Sequence, residues 1–98
     1  MKFNMYNYVN KKQQLEICFK DIDSFEDALK IVNELKNKIK NISIKYLDGI
    51  WYDSWTINTE NLEFELIRHD DEGIYFVAND STNNERLKKL VYENLYKE

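Results

Sequence analysis

The sequence predicts a two-layer α+β sandwich, in which a mainly antiparallel sheet in the order ββαββββα carries two helices on one face. Two segments with apolar residues at helical spacing flank four strand-like segments between residues 42 and 79. Those four segments alternate apolar and polar residues and are separated by short turns, which is typical of a meander with one buried face. A chain of 98 residues is sufficient for one domain, 1–98, with a single core.

The N-terminal part of the chain predicts a β-hairpin. Residues 2–9 alternate at Phe3 and Met5 and are rich in tyrosine, and residues 15–19 alternate apolar with polar side chains. The polar run at 10–13 between them is typical of a turn. The first two strands are therefore expected to pair with each other.

Two helices are predicted from their start signals. Ser24 with Asp27 forms a capping box, and the lysines at the end of the following segment suit a helix C-terminus, so a helix is expected at about residues 24–40. Asp80 and Glu85 mark the start of a second helix, which closes the chain. The predicted apolar stripes are Phe25, Ala28, Leu29, Val32, Leu35 and Ile39 in the first helix, and Leu87, Leu90, Val91 and Leu95 in the second.

The turns of the meander predict its register. Asp48 and Gly49 are typical of a two-residue type I′ turn, because both positions require a positive φ. The two later loops, at 58–61 and 69–73, predict the remaining pairings. The predicted facing pairs are Tyr46 with Trp51, Asp53 with Leu66, and Arg68 with Ile74.

This register sorts the strand residues onto two faces, because side chains alternate along a strand. The apolar side, expected to lie under the helices, comprises Ile42, Ile44, Tyr46, Trp51, Trp55, Ile57, Leu62, Phe64, Leu66, Ile74, Phe76 and Ala78. The opposite side mixes polar and apolar residues and comprises Ser43, Lys45, Leu47, Ile50, Tyr52, Ser54, Thr56, Glu63, Glu65, Ile67, His69, Tyr75 and Val77.

Asp53 is a charged residue on the predicted core face. It lies between Trp51 and Trp55, where an unpaired carboxylate is costly. The predicted register brings Arg68 diagonally across from it, so a structural ion pair between Asp53 and Arg68 is expected. The alternative is a catalytic acid in a hydrophobic slot, for which the sequence offers no nucleophile.

Negative charge is concentrated in one part of the chain. The net charge is −4, but residues 47–80 carry nine acidic side chains and only one basic side chain, Arg68, which gives −8. Such a field attracts basic partners and repels nucleic-acid phosphate, so direct nucleic-acid binding is not expected there. A solvated surface without a partner is the alternative interpretation.

The residue pattern predicts no enzyme, no cofactor and no metal site. His69 is the only histidine, and neighbouring residues of a hairpin loop point in different directions. Cys18 alone makes neither a disulfide nor a cysteine zinc site, and two glycines do not build a phosphate loop. A small hydrolase that uses His69 with Glu63 or Glu65 ranks third among the functions considered.

The open face of the sheet is the predicted functional surface. Tyr52, Ile67 and Tyr75 are expected to form one cross-strand row surrounded by carboxylates. Aromatic anchors inside a charged rim are typical of protein–protein binding surfaces. Coverage of this face by the N-terminal hairpin, or by self-association, remains open. The predicted partner-binding residues are Tyr52, Glu63, Glu65, Ile67, Asp70, Asp71, Glu72 and Tyr75.

The sequence also bears on where the protein acts. It contains no apolar run of about 18 residues, as a membrane span needs, and no signal-peptide pattern at its start. A cytoplasmic location without a membrane partner is therefore expected, and the oligomeric state is left open.

In size, acidity, helix-and-sheet layout and lack of active-site motifs, the whole chain resembles the small bacterial immunity proteins that neutralise toxins, including those of contact-dependent growth inhibition systems. The resemblance implies an antitoxin that binds its cognate toxin, often a basic nuclease, and masks the active site or the substrate surface. An inhibitor of a host defence nuclease, encoded by a phage or mobile element, is the first alternative. A toxin reading frame directly upstream would favour immunity, and a phage operon would favour the inhibitor.

Overall fold

The computed structural model describes residues 2–96 and confirms the predicted fold class and element order. Six antiparallel strands form one sheet, and two helices pack on it. The strands are β1 (Met5–Val9), β2 (Leu15–Phe19), β3 (Ser43–Asp48), β4 (Tyr52–Asn58), β5 (Glu63–His69) and β6 (Gly73–Ala78). The helices are α1 (Phe25–Lys38) and α2 (Asn84–Leu95), and a 3₁₀ turn at Ser81–Asn83 precedes α2.

The N-terminal hairpin extends the sheet sideways. The strand order is β1-β2-β6-β5-β4-β3, in which β2 pairs with β6 so that Glu16 faces Val77 and Cys18 faces Tyr75. The hairpin thus lies beside the meander and does not cover its open face. This pairing joins residues far apart in sequence, and it makes the open face two strands wider than the meander alone.

Local chemistry explains where α1 begins and which side it buries. The Ser24 hydroxyl accepts a hydrogen bond from the Asp27 amide at 3.0 Å, and the Asp27 carboxylate accepts one from the Ser24 amide, which completes the predicted capping box. The predicted stripe needs two corrections. Ile31, which it omits, is fully buried because it lies three residues after Ala28, in the middle of the buried side, and Phe25 and Leu29 are each 37% exposed.

The second helix closes the core. Its buried positions Leu87, Val91 and Leu95 repeat at four-residue spacing, as predicted, and Leu90 is partly buried. The Phe3 amide donates a hydrogen bond to the Leu95 carbonyl at 2.6 Å, so the start of the chain is tied to the end of α2. The helices and the strands therefore share one core.

The predicted turn at Asp48 and Gly49 is wrong. Neither residue has a positive φ, and the pairing closes at Asp48 opposite Asp53, which leaves residues 49–52 as the connection. The Gly49 amide donates a hydrogen bond to the Tyr52 carbonyl at 2.8 Å. A Cβ on Gly49 would lie 2.6 Å from a Tyr52 ring carbon, so the glycine is needed here for close approach and not for its backbone freedom.

The first two predicted registers are shifted. The longer connection moves the pairing of β3 with β4, and a loop at 59–62 in place of 58–61 moves the pairing of β4 with β5. Tyr46 faces Trp55 and not Trp51, and Asp53 faces Arg68 and not Leu66. The third register, with Arg68 opposite Ile74, is as predicted. Two predicted core-face residues consequently lie outside the core: Trp51 is 66% exposed and Tyr46 is 44% exposed, while Ile42 and Ile44 are only partly buried.

Candidate functional site

One row of side chains crosses the open face from edge to edge. Its members are paired in register on adjacent strands, and the row contains aromatic, aliphatic and sulfur side chains next to one serine. The row is Tyr6, Cys18, Tyr75, Ile67, Ser54 and Leu47. Ile67 thus faces Tyr75 as predicted, but Ser54 takes the place predicted for Tyr52, which faces His69 in the neighbouring row.

Three glutamates of this face have no cationic partner. Glu16, Glu63 and Glu65 each accept a hydrogen bond from an uncharged side chain, and within residues 2–96 none of them forms an ion pair. The donors are Asn10 to Glu16 at 2.9 Å, Ser54 to Glu65 at 3.1 Å, and Asn79 to Glu63. These three carboxylates therefore carry negative charge that no ion pair in the described chain neutralises.

Tyr75 lies half-buried beside carboxylates. Burial, and then the carboxylates of Glu72 and Glu16, raise the pKa of its phenol to about 12. Burial also raises the pKa of the Cys18 thiol, so Cys18 stays protonated at neutral pH and is a poor nucleophile. The centre of the face is thus an uncharged, partly buried strip between carboxylates.

The acidic loop between β5 and β6 is only partly free to meet a partner. Asp70 accepts a hydrogen bond from the Arg68 guanidinium at 3.1 Å, so part of its charge is already compensated. The side chain of Glu72 is 60% exposed, and Asp71 is exposed as well. Of the three predicted rim residues in this loop, Asp71 and Glu72 are therefore the more available.

His69 organises the same loop. Its Nδ1 accepts hydrogen bonds from the backbone amides of Asp71 at 3.1 Å and Glu72 at 3.3 Å. Glu65 lies four residues away along β5, about 13 Å at the usual rise of a strand. The histidine and glutamate of the hypothetical hydrolase are thus not brought together, and His69 is occupied in shaping a turn.

An exposed apolar corner borders the open face. It surrounds the connection between β3 and β4, and it consists of Leu47, Ile50, Trp51 and Tyr52. Ile50 is 86% exposed, and the Trp51 carbonyl accepts a hydrogen bond from the Asp70 amide at 3.0 Å, which fixes the loop. The run of three apolar residues at 50–52 breaks strand alternation and is the sequence signal that indicates a loop here.

Asp53 and Arg68 lie at the end of the core face. The Arg68 Nε donates to Asp53 Oδ2 at 2.9 Å, and the Tyr46 hydroxyl donates to Asp53 Oδ1 at 2.5 Å. This second bond raises the pKa of Tyr46 to about 12. Phe25 and Trp55 pack on Tyr46 with ring centroids 6.0 and 5.1 Å away. Both carboxylate oxygens of Asp53 are thereby engaged by the fold itself.

No protein-family model matches the chain, and neither a curated protein nor a solved structure matches it. Within residues 2–96, no group of three or more histidine, cysteine or acidic side chains is arranged to hold a metal ion. Neither helix in this part of the chain is long and apolar enough to cross a membrane. The resemblance to immunity proteins stays a prediction.

Proposed function

We propose that the protein is an immunity-type binder that neutralises a cognate basic toxin, a nuclease, through the open face of its sheet. The observation that carries the proposal is the set of unpaired carboxylates, Glu16, Glu63 and Glu65, beside exposed aromatic residues on the same face. Lysines and arginines of a basic partner would supply the missing countercharges, while the aromatic residues would provide desolvated contact area.

The proposed mechanism is occupation of a surface and not chemical turnover. A nuclease holds its substrate with basic side chains that contact phosphates. An acidic face presents the same sign of charge to that surface and would block it by competition. This mode of action requires no cofactor and no metal on the inhibitor, and it places the protein in the cytoplasm, where the toxin would meet nucleic acid.

The anchor residues of this interface follow from exposure. Tyr52 belongs to the apolar corner, and Tyr75 and Ile67 form the half-buried centre of the face. Tyrosine and tryptophan contribute disproportionately to binding energy at the centre of interfaces. The apolar corner adds Trp51 to the anchors, a residue that the sequence pattern had placed in the core.

Charge reversal on the open face tests the proposal. The partner is captured from the source cell with the tagged chain, and binding kinetics are then measured at two salt concentrations. In the double variant Glu63→Lys with Glu65→Lys, we expect the association rate to fall to about one tenth of the wild-type rate or below. The association rate should also depend less on salt, because electrostatic steering by the face is lost. The dissociation rate is expected to change less.

A matched control carries the same charge change on the helical side. Glu26→Lys with Glu93→Lys alters two exposed glutamates of α1 and α2, and the association rate is expected to stay within about twofold of the wild type. An acidic captured partner, or equal effects of the two double variants, would refute the electrostatic proposal. Capture of a basic host defence nuclease in place of a toxin would instead favour the alternative function, an inhibitor encoded by a phage or mobile element.

Replacement of His69 tests whether the protein acts without turnover. In His69→Ala, neutralisation of the partner is expected to be retained at close to the wild-type level, while loss of two hydrogen bonds to the loop lowers the free energy of unfolding by about 1 kcal/mol. Circular dichroism establishes that the variant is folded, and an inhibition assay gives the activity. A folded His69→Ala protein without activity would favour the hydrolase.

A further inference from the structure

A shallow depression of about 280 Å³ lies on the open face where the N-terminal hairpin joins β6. Its base is formed by two half-buried side chains, Cys18 and Tyr75, which face each other across β2 and β6. The rings of Tyr6 and Tyr8 stand at the edge strand, and carboxylates complete the wall. The lining residues are Tyr6, Tyr8, Glu16, Cys18, Glu72 and Tyr75.

The carboxylates of Glu16 and Glu72 both act on the base of the depression. Glu16 comes from β2 and Glu72 from the loop between β5 and β6, yet both raise the pKa of the Tyr75 phenol and of the Cys18 thiol. Glu16 Oε2 accepts one hydrogen bond from Asn10, and Glu16 Oε1 has no donor within residues 2–96. The depression therefore offers carboxylate oxygens to a positively charged group from two sides.

The aromatic wall already attracts a cation. Lys20 holds its ammonium group 5.9 Å from the centroid of the Tyr6 ring, within the range of a cation–π contact. Lys20 itself is exposed at the end of the hairpin and does not line the depression. The face of the Tyr6 ring is thus able to hold a positively charged group.

We propose that this depression binds an arginine side chain of the basic partner. A guanidinium is planar, stacks on aromatic rings and donates hydrogen bonds in two directions at once, which fits tyrosines on one wall and carboxylates from two sides. A lysine ammonium is a more strongly hydrated point charge and interacts less favourably with an aromatic wall, because it cannot stack on the rings. The inference rests on the proposed function for the identity of the protein that carries the arginine.

The test uses a small probe and needs no partner. N-acetyl-arginine amide is titrated into the full chain at constant ionic strength, and backbone amide shifts are followed by NMR. We expect saturable shifts centred on Tyr6, Cys18 and Tyr75. The neutral isostere N-acetyl-citrulline amide is expected to produce none, and N-acetyl-lysine amide is expected to bind more weakly.

Variants separate the depression from the general charge of the face. Glu16→Gln and Glu72→Gln are each expected to weaken binding of the arginine probe about threefold to tenfold. Glu63→Gln is the matched control, because Glu63 also accepts one hydrogen bond from an asparagine but does not line the depression. Lys20→Met removes a competing positive charge and is expected to tighten binding about twofold.

Three outcomes would overturn the inference: equal shifts with citrulline, tighter binding of the lysine probe, or equal weakening by Glu63→Gln and Glu16→Gln. These results are independent of the proposed function. If the protein captures a basic partner but does not bind the arginine probe, only the arginine site is refuted. If it binds the probe but captures no basic partner, only the proposed function is refuted.

Discussion

Replacing Arg68 with methionine is expected to lower the free energy of unfolding by about 3 kcal/mol, at the lower end of the range for broken buried ion pairs. Asp53 is only 7% exposed, so its carboxylate would be left in the protein interior with the Tyr46 hydroxyl as its remaining partner. The arginine side chain itself is one-fifth exposed, which moderates the loss. Equilibrium denaturation in urea measures the change.

Replacing the other partner, Asp53, is expected to cost less stability. In Asp53→Ala, Arg68 keeps its contact with Asp70 and has access to water, so the loss is about 2 kcal/mol. The double variant Asp53→Ala with Arg68→Met should lose less than the sum of the two single changes. Arg86→Met, which alters the other arginine at an exposed position, is the control and should stay within about 0.5 kcal/mol of the wild type. Additive losses would show that the two side chains stabilise the fold independently.

The helices could be predicted from sequence because local chemistry determines them. Ser24 and Asp27 form the capping box within four residues of each other, and no distant contact is needed to complete it. The two exposed residues of the predicted α1 stripe, Phe25 and Leu29, lie at the margins of the buried side. Which marginal residue is covered depends on the neighbouring elements, and the period of the helix does not contain that information.

The faces of the meander could be predicted, but two of its three registers could not. The two wrong registers are shifted by four and by two residues, and even shifts leave the side chains within the strands on their predicted faces. The turn prediction failed because Gly49 admits the Tyr52 ring and is not used for a positive φ. Packing of Phe25 and Tyr46 around Trp55 favours the longer connection, and that packing involves residues from three elements.

Two of the six strands that form the open face could not be placed from local sequence. Glu16 and Cys18 alternate with apolar residues in β2, which indicates that they lie on the polar side of that strand. The alternation does not indicate which strand β2 pairs with. The pairing of β2 with β6 joins residues about 60 positions apart and places both beside Tyr75. The acidic residues of β5 and its loop were predictable because turns in the meander place them locally.

The two tryptophans give the sharpest test of the corrected register. Trp55 is 3% exposed and packs on Tyr46 and Phe25 with ring centroids 5.1 and 5.7 Å away, so Trp55→Ala is expected to cost about 3–5 kcal/mol of unfolding free energy. Trp51 is 66% exposed in the apolar corner, so Trp51→Ala is expected to cost less than about 1 kcal/mol.

The same substitution at both positions removes the same atoms, so the difference between the two losses measures burial and not residue type. A type I′ turn at Asp48 and Gly49 would place Trp51 on the core face opposite Tyr46 and would make the two losses similar. Equilibrium denaturation of the two variants distinguishes these cases. If Trp51→Ala keeps the wild-type stability but weakens capture of the basic partner, the exposed indole contributes to binding and not to folding. A side chain outside the core makes few contacts that stabilise the fold, so its loss is felt in the complex.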